Sequence, residues 1–577
     1  RIMKFKPLLI VMVMLVPVIT DAQSGKKPLK YPSLFWEIRS QGSSRPSYLF
    51  GTMHVSSKLV YNLPDSFYTA LKSIDVVALE NDMGRWQKDM DEFDFDYTGG
   101  MYGDFRNRNK EYFTSSMLQE EKYDALIQQA LTSNPSVLNS LLYRTLGNRM
   151  SDFEEDTFLD MFIYQCGKKY GKKTAGLENF AESIRLMFEG LMDAAKDKNK
   201  KERSYLNYNR DFSPEKMEEA YRTGNLDLLD SIERYNSMSD LFDEKFLYRR
   251  NEIQADGIDS IMKTGSTVFA GVGAAHLPGT RGVIELLRKK GYIVRPIMMN
   301  GRSSKEKEAV DNIIVPVEMK RIAAADSLYT VEAPGEFYST SSRFFNQVQH
   351  ADMSNGSYYL ITRVPTNAGL WAHNEARTMK IIDSMLYENI PGKIIANQKI
   401  NRNGYSGYDI VNRTRRGDVQ RYHIFVTPSE VVLFKMSGIG NYVSNSKEAA
   451  QFFNSIQLRS NAEVKLASRL YTPEHGGFAA AFPHEPYKRI SSDAVYEAQD
   501  AANYYRIYVT HIHNDDVITD DTFDLSLMEE SFLQAEMVEK QLERKQIKFK
   551  GYPALDAKFT DKQGNIIKTR FIIQGAH

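Results

Sequence analysis

One stretch constrains this chain more than any other: Thr267-Val-Phe-Ala-Gly-Val-Gly-Ala-Ala-His-Leu-Pro-Gly279. Residues 267–272 have the β-branched and aromatic content of a buried strand. Gly271 and Gly273 allow backbone or ligand to approach closely where that strand stops, and His276 follows before a turn at Pro278-Gly279. Far upstream, Tyr48-Leu-Phe-Gly-Thr-Met-His-Val55 repeats the Gly-x-x-His spacing with Gly51 and His54. Two such strand ends point to one shared site.

The chain has 577 residues, well beyond the roughly 100–200 of a single domain, so several domains are expected. Lys plus Arg and Asp plus Glu both number 74. No global field favours nucleic acid, which is not an expected partner. Lys4 and Lys6, the apolar run 8–19 and Thr20-Asp-Ala22 have the three regions of a secretory signal peptide, read as residues 1–22, with Met3 as the natural start. That run falls short of the about 20 apolar residues a membrane span needs, so the mature chain is expected to be exported, periplasmic or extracellular, without a transmembrane span. Cys166 is the only cysteine. It permits no intrachain disulfide and no thiolate cluster, and it reads as a buried helix residue.

Between residues 31 and 300, strand-like runs at 34–39, 48–54, 76–80, 174–178, 268–272 and 293–297 alternate with helical patterns at 65–73 and 282–290. Such alternation predicts an α/β domain with a largely parallel sheet. Residues 83–243 read as a helical insertion, and its basic run 196–203 as a solvated face. Ligands of open parallel sheets gather beyond the carboxyl ends of the strands, and His54, Glu80, Glu178 and His276 all fall at such ends. Imidazole and carboxylate together suit a divalent transition metal, with a remaining carboxylate as general base. Each residue has a plainer reading: a histidine after a strand is commonly a turn residue, and Arg250 and Asn251 could cap a helix or pair with Glu80. Glu80 is the stronger candidate, because a carboxylate closing an apolar run is costly unless paired or coordinated.

Gly51-Thr-Met-His54, Glu80, the pair Arg250-Asn251 and Gly273-Ala-Ala-His276-Leu-Pro-Gly279 with its continuation together resemble the TraB/PrgY/GumN/Tiki family. Tiki members are metal-dependent proteases, supported by manganese or cobalt, that act on extracellular signalling proteins; other members suppress peptide pheromones. The resemblance implies His54, Glu80 and His276 as metal or catalytic residues, with Arg250 and Asn251 in support; in the expected mechanism Arg250 or Asn251 stabilises the oxyanion. Glu178 matches the family's Leu-Glu element, but the glutamine that often follows is absent; Glu182 and Ser183 stand nearby instead.

The second half is a repeat. Tyr358 and Tyr504 open matching strands at an offset of 504 − 358 = 146, while Gly404 and Gly551, and Gly417 and Gly564, keep offsets of 147. Two α+β modules are expected, at 312–460 and 466–577, with helices at 374–387 and 525–544. They look somewhat like accessory domains of the PsbP or Mog1 kind. The second copy stops at His577 before a final strand and helix that the first has, so it is read as cut short. His511-x-His513 with Asp515 and Asp516 has a metal-like spacing but no counterpart in the first copy; an acidic turn explains it as well. The reading is thus an exported metal-dependent peptidase using manganese, cobalt or zinc on a peptide or protein substrate. A non-catalytic sequestering protein and an esterase or haem-handling protein are the alternatives.

Overall fold

A computed structural model describes residues 28–53, 61–93, 123–132, 142, 157–196, 213–339, 346–366, 375–427, 430–459, 469–474, 476–483, 485–490, 494–499, 503–509, 521–535 and 537–574. The leader at 1–22, His54, most of the basic run 196–203 and the histidines 511 and 513 lie outside these residues.

The first sheet has six strands: β1 (Phe35–Arg39), β2 (Ser47–Thr52), β3 (Val76–Leu79), β4 (Lys173–Gly176), β5 (Val268–Gly273) and β6 (Ile293–Ile297), in the order β4-β3-β5-β2-β1-β6. Strands β4, β3, β5 and β2 are mutually parallel, whereas β1 runs against both β2 and β6, so the sheet is mixed. Every residue of β3 and β5 is buried. Strands covered on both faces are continuously apolar, which is why Val76–Leu79 and Val268–Gly273 show no alternation. Register brings the carboxyl ends together: Thr52 lies opposite Gly273, and Leu79 opposite both Gly176 and Gly271. Gly271 leaves room there, since a Cβ on it would come within 2.7 Å of the Leu79 side chain and displace it. The close approach that this glycine permits is between neighbouring strands rather than to a ligand.

Helix α1 (Asp65–Ser73) crosses from β2 towards β3. The insertion is largely helical and includes α2 (Tyr123–Thr132) and α3 (Leu159–Lys169); Cys166 is fully buried on the latter, as its apolar surroundings require. Burial pushes its thiol far up, so it is inert. Further along are α4 (Phe180–Lys196), α5 (Arg250–Lys263) and α6 (Val283–Lys289).

In the second half, β8 (Tyr329–Ala333) pairs with β7 (Lys320–Ala323) on one side and with β16 (Gln457–Leu458) on the other. A seven-stranded antiparallel sheet contains β9 (Tyr338–Ser339), β10 (Asn346–Asp352), β11 (Ser357–Pro365), β12 (Lys393–Arg402), β13 (Tyr405–Arg413), β14 (Val419–Val426) and β15 (Glu430–Ser437). One face packs on α7 (Glu375–Asn389) through Ile382, Leu386, Tyr422 and Leu433; the other packs on α8 (Lys447–Ser455) through Phe425, Phe434, Phe452 and Phe453.

This first module is not separate from the domain before it. Leu126, Ile127 and Leu131 of α2 belong to the core under α7, so the insertion of the first half supplies part of the module's interior. In return Met353, Tyr358 and Leu360 enter the core of the first sheet, and Gln87 exchanges two hydrogen bonds of 2.7 Å with the Ala351 backbone.

The second copy has β19 (Tyr487–Ile490), β20 (Ala494–Gln499) and β21 (Tyr504–Val509), then α9 (Asp521–Leu533), β22 (Val538–Phe549), β23 (Tyr552–Asp561) and β24 (Ile566–Ile572). A short hairpin of β17 (Arg469–Tyr471) and β18 (Ala480–Phe482) precedes them. The order strand, helix and three strands is the same in both copies. The tight turns repeat as well: Asn403 and Gly404 have φ of 51° and 87°, Lys550 and Gly551 of 51° and 90°. Left-handed φ at both central residues is what a two-residue hairpin turn demands.

The helix expected at 525–544 is corrected: α9 ends at Leu533, and Val538–Phe549 is a strand. Its sequence, Val-Glu-Lys-Gln-Leu-Glu-Arg-Lys-Gln-Ile-Lys-Phe, is rich in helix formers. Most of the strand is exposed, so no alternation of buried and polar residues marks it; pairing along β23 overrides local propensity. Among the described residues no helix is long and apolar enough to cross a membrane.

Candidate functional site

The rim where β2, β3, β4 and β5 end carries a buried polar cluster. Glu80 follows β3 directly, and Glu178 comes two residues after β4. Leu177 and Glu178 continue the parallel pairing, donating their N–H groups to the carbonyls of Leu79 and Glu80 at 2.8 Å. The two carboxylates therefore sit side by side.

Between them lies Arg250. The sequence placed it and Asn251 ahead of a helix; in the structure they form the first turn of α5, entered through a π-helical turn over Glu244–Arg249. Such turns shift the phase of a helix and recur at functional sites. Here the helix presents Arg250, Asn251 and, one turn on, Gln254 to the interior. Arg250 Nη2 donates to Glu80 Oε2 at 2.6 Å and Nε to Glu178 Oε2 at 2.8 Å. Burial opposes the charge on Arg250, but attraction to Glu80 and Glu178 outweighs it and holds its pKa above the ordinary value. Glu178 is also held by Gln254 Nε2 at 2.6 Å and by the Ser183 hydroxyl. With three donors on it, Glu178 positions the guanidinium.

Glu80 is held differently. Its Oε1 accepts the Gly273 N–H at 2.7 Å, which ties the end of β3 to the end of β5. The same oxygen lies 3.7 Å from His276 Nε2. His276 sits on the short turn Ala274–His276, 5% exposed. Its tautomer follows from its neighbours. Asn251 Nδ2 donates to the Arg281 carbonyl at 2.8 Å, so Asn251 Oδ1 is the atom turned to His276 Nδ1 at 2.6 Å, and Nδ1 must carry the proton. The Asn251 amide is thereby committed to orienting the imidazole, rather than facing a substrate oxygen.

Sequence reasoning brought Glu80, Glu178, Arg250, Asn251 and His276 to this rim, and the structure gathers all five. It did not single out Gln254 as a site residue, although an Arg-x-x-x-Gln spacing puts the two on one helix face. Nor did it find Asp160 and Tyr221 beside the end of β2. Thr52 donates to Asp160 Oδ1 at 2.7 Å, and Tyr221 donates to the Gly51 carbonyl at 2.8 Å. Burial, with a smaller push from Asp160, lifts the Tyr221 phenol well above its ordinary pKa. Gly51 eases the packing at this point: a Cβ there would lie a tight 3.2 Å from Ala274 and Leu277, so the two glycine-containing segments pack against each other.

A divalent cation can be tested against these donors. His276 Nε2 and Glu80 Oε1 converge and are of the right chemical type, and Asn251 is an orienting partner of the kind that metal-binding imidazoles have. Formal charge is also suitable: two carboxylates and one guanidinium leave an excess of one negative charge. Among the described residues no group of three His, Cys, Asp or Glu side chains is placed to hold an ion. The third ligand implied by the family resemblance, His54, comes two residues after Thr52 and lies outside the described residues.

A mixed sheet with a buried Glu-Arg-Glu bridge and an oriented histidine at its carboxyl rim defines the class of domain. The family model of the TraB/PrgY/gumN family matches residues 34–296, and this part of the chain belongs to that family. Among curated proteins none matches the chain. Among solved structures, the cyanobacterial PsbP (CyanoP) of Synechocystis sp. PCC 6803 aligns at 12% identity, with 25% of this chain and 94% of that one covered and a TM-score of 0.18. A crystal structure from Bacteroides thetaiotaomicron aligns at 10% identity over 43% of this chain and 88% of that one, with a TM-score of 0.17. Neither likeness bears on function.

Proposed function

We propose that residues 34–296 form an exported hydrolase that cleaves peptide bonds with the help of a divalent metal, manganese, cobalt or zinc, held by His276, Glu80 and His54. One observation carries this reading: Asn251 fixes the proton of His276 on Nδ1 and turns Nε2 towards Glu80 Oε1 at 3.7 Å. That gap is too long for a hydrogen bond, yet it is close to the separation of two ligands that each lie about 2 Å from one ion. When bound, the metal would polarise the scissile carbonyl and lower the pKa of a water.

The chain's own residues then have distinct tasks. Asn251 holds the imidazole ring and its tautomer. Arg250 and the Gly273 N–H fix the Glu80 carboxylate, which leaves it a ligand rather than a mobile base. Glu178, Gln254 and Ser183 hold Arg250 in place, so that the guanidinium does not swing into the ligand position.

Elemental mass spectrometry on the purified full chain, the His276→Ala variant and the Asn251→Ala variant tests this. Stoichiometric metal in the parent, none in His276→Ala and metal weakened about 10–100-fold in Asn251→Ala are expected. Equal, negligible metal in all three sinks the reading and leaves the non-catalytic sequestering protein in its place.

A further inference from the structure

We propose that the groove between α7 and the β12–β13 hairpin binds a short peptide that carries charges of both signs. The cavity measures about 760 Å³, within the roughly 300–1,000 Å³ of ligand clefts. Its apolar lining comes from Met379, Ile400 and Tyr408, and the Tyr408 hydroxyl is spent on the Met379 carbonyl at 3.2 Å. Around this lining stand two cations, Lys380 and Lys399, and two anions, Asp383 and, at the start of the helix, Glu375. Among the described residues none of the four is held by an ion pair or a side-chain hydrogen bond. A ligand of one sign would be repelled by half of them; a peptide with a cationic and an anionic side chain satisfies both.

The second copy of the module supplies an internal control. There Glu529 stands where Asp383 does, since 383 + 146 = 529, and Arg544 stands where Asn397 does, since 397 + 147 = 544. Arg544 Nε lies 2.7 Å from Glu529, Gln541 also donates to it, and Glu529 is buried. Helix and strand are latched together across the same gap. In the first copy Asn397 cannot make that bridge, Asp383 stays exposed, and the gap is open. A fold that has a way of closing this groove, and leaves it open in one copy, points to use of the opening. The proposal is independent of the metal site.

The test incubates the full chain with a mixture of random tetrapeptides, acetylated and amidated so that charge comes from side chains alone, and reads the retained fraction by mass spectrometry. Peptides with one basic and one acidic residue are expected to be enriched about tenfold. The enrichment should vanish in Asp383→Glu/Asn397→Arg, which installs the latch, and shift to purely basic peptides in Lys380→Glu/Lys399→Glu, whose exposed sites leave the fold unaffected. An identical retained set for the parent and both variants, or no enrichment in the parent, overturns the proposal.

Discussion

Two buried arginines in this chain each bridge two carboxylates, and they are built differently. Arg363, in the first repeat module, is bonded through Nε and Nη2 to both oxygens of Glu430 at 2.8 and 2.6 Å, and through Nη1 and Nη2 to both oxygens of Asp326 at 3.0 and 2.8 Å. Arg250, at the rim of the first sheet, makes one bond to each of its two carboxylates. The first bridge is saturated. In the second, Glu80 keeps an oxygen for the Gly273 N–H and for the neighbourhood of His276. Burial of charge by itself therefore does not mark a site, because buried ion triads also serve as structure. The mark is the oriented imidazole of His276 beside the second bridge.

The largest expected effect separates these bridges. Arg363→Met and Arg250→Met each strand two buried carboxylates, and each should cost about 3–5 kcal/mol of stability in thermal melts. Added manganese should restore much of the loss in Arg250→Met, where His276 and Glu80 offer a place for a cation, and none in Arg363→Met. Equal rescue of both, or of neither, would erase the distinction.

A smaller effect of opposite sign is expected at Lys435. Its amine is fully buried on β15 and faces the rings of Tyr422 and Tyr358 at 5.0 and 5.7 Å; among the described residues no acceptor meets it in good hydrogen-bond geometry. Tyr358 and Tyr422 outweigh burial and hold its pKa above the ordinary value, yet an apolar side chain of similar volume carries no desolvation cost at all. Lys435→Met should stabilise the protein by about 1–3 kcal/mol in chemical denaturation, unlike either arginine variant. A destabilised variant would show that the lysine belongs with the arginines.

The smallest effect concerns pH and tests whether the two halves behave alike. Burial pushes the phenols of Tyr164, on α3, and Tyr329, on β8, up to about 12. A raised folded pKa means that the neutral phenol is favoured in the native state. Its contribution is complete below pH about 10 and is lost as the pH rises through 12. Melting temperatures should fall in that window, and Tyr164→Phe and Tyr329→Phe should each flatten the fall. Flattening by one variant alone would place the alkaline weakness in one half.

Much of this was legible along the chain. The runs at 76–80 and 267–272 read as buried strands because their apolar content is local, and Glu80 and His276 read as site candidates because polar residues at such ends are costly. Turn glycines and a nearly constant offset of 146–147 pointed to a repeat, and the order of elements is the same in both copies. Strand β22 was misread, since an exposed strand of Glu, Lys, Arg and Gln carries no alternation. The place of α2 under the sheet of the first module was not legible at all: nothing in its sequence says which apolar surface it will cover.

The sequence alone thus determined which segments are buried strands, where their chemistry-bearing ends lie, and that a module is duplicated, because periodicity and turn residues act over a few positions. Only the tertiary structure decided that Arg250 should reach across 170 residues to Glu80 and 72 to Glu178. That meeting depends on the strand order β4-β3-β5-β2 and on the entry of α5 through a π-helical turn. Partners so far apart in the chain are chosen by how sheet and helix pack, which no local pattern encodes.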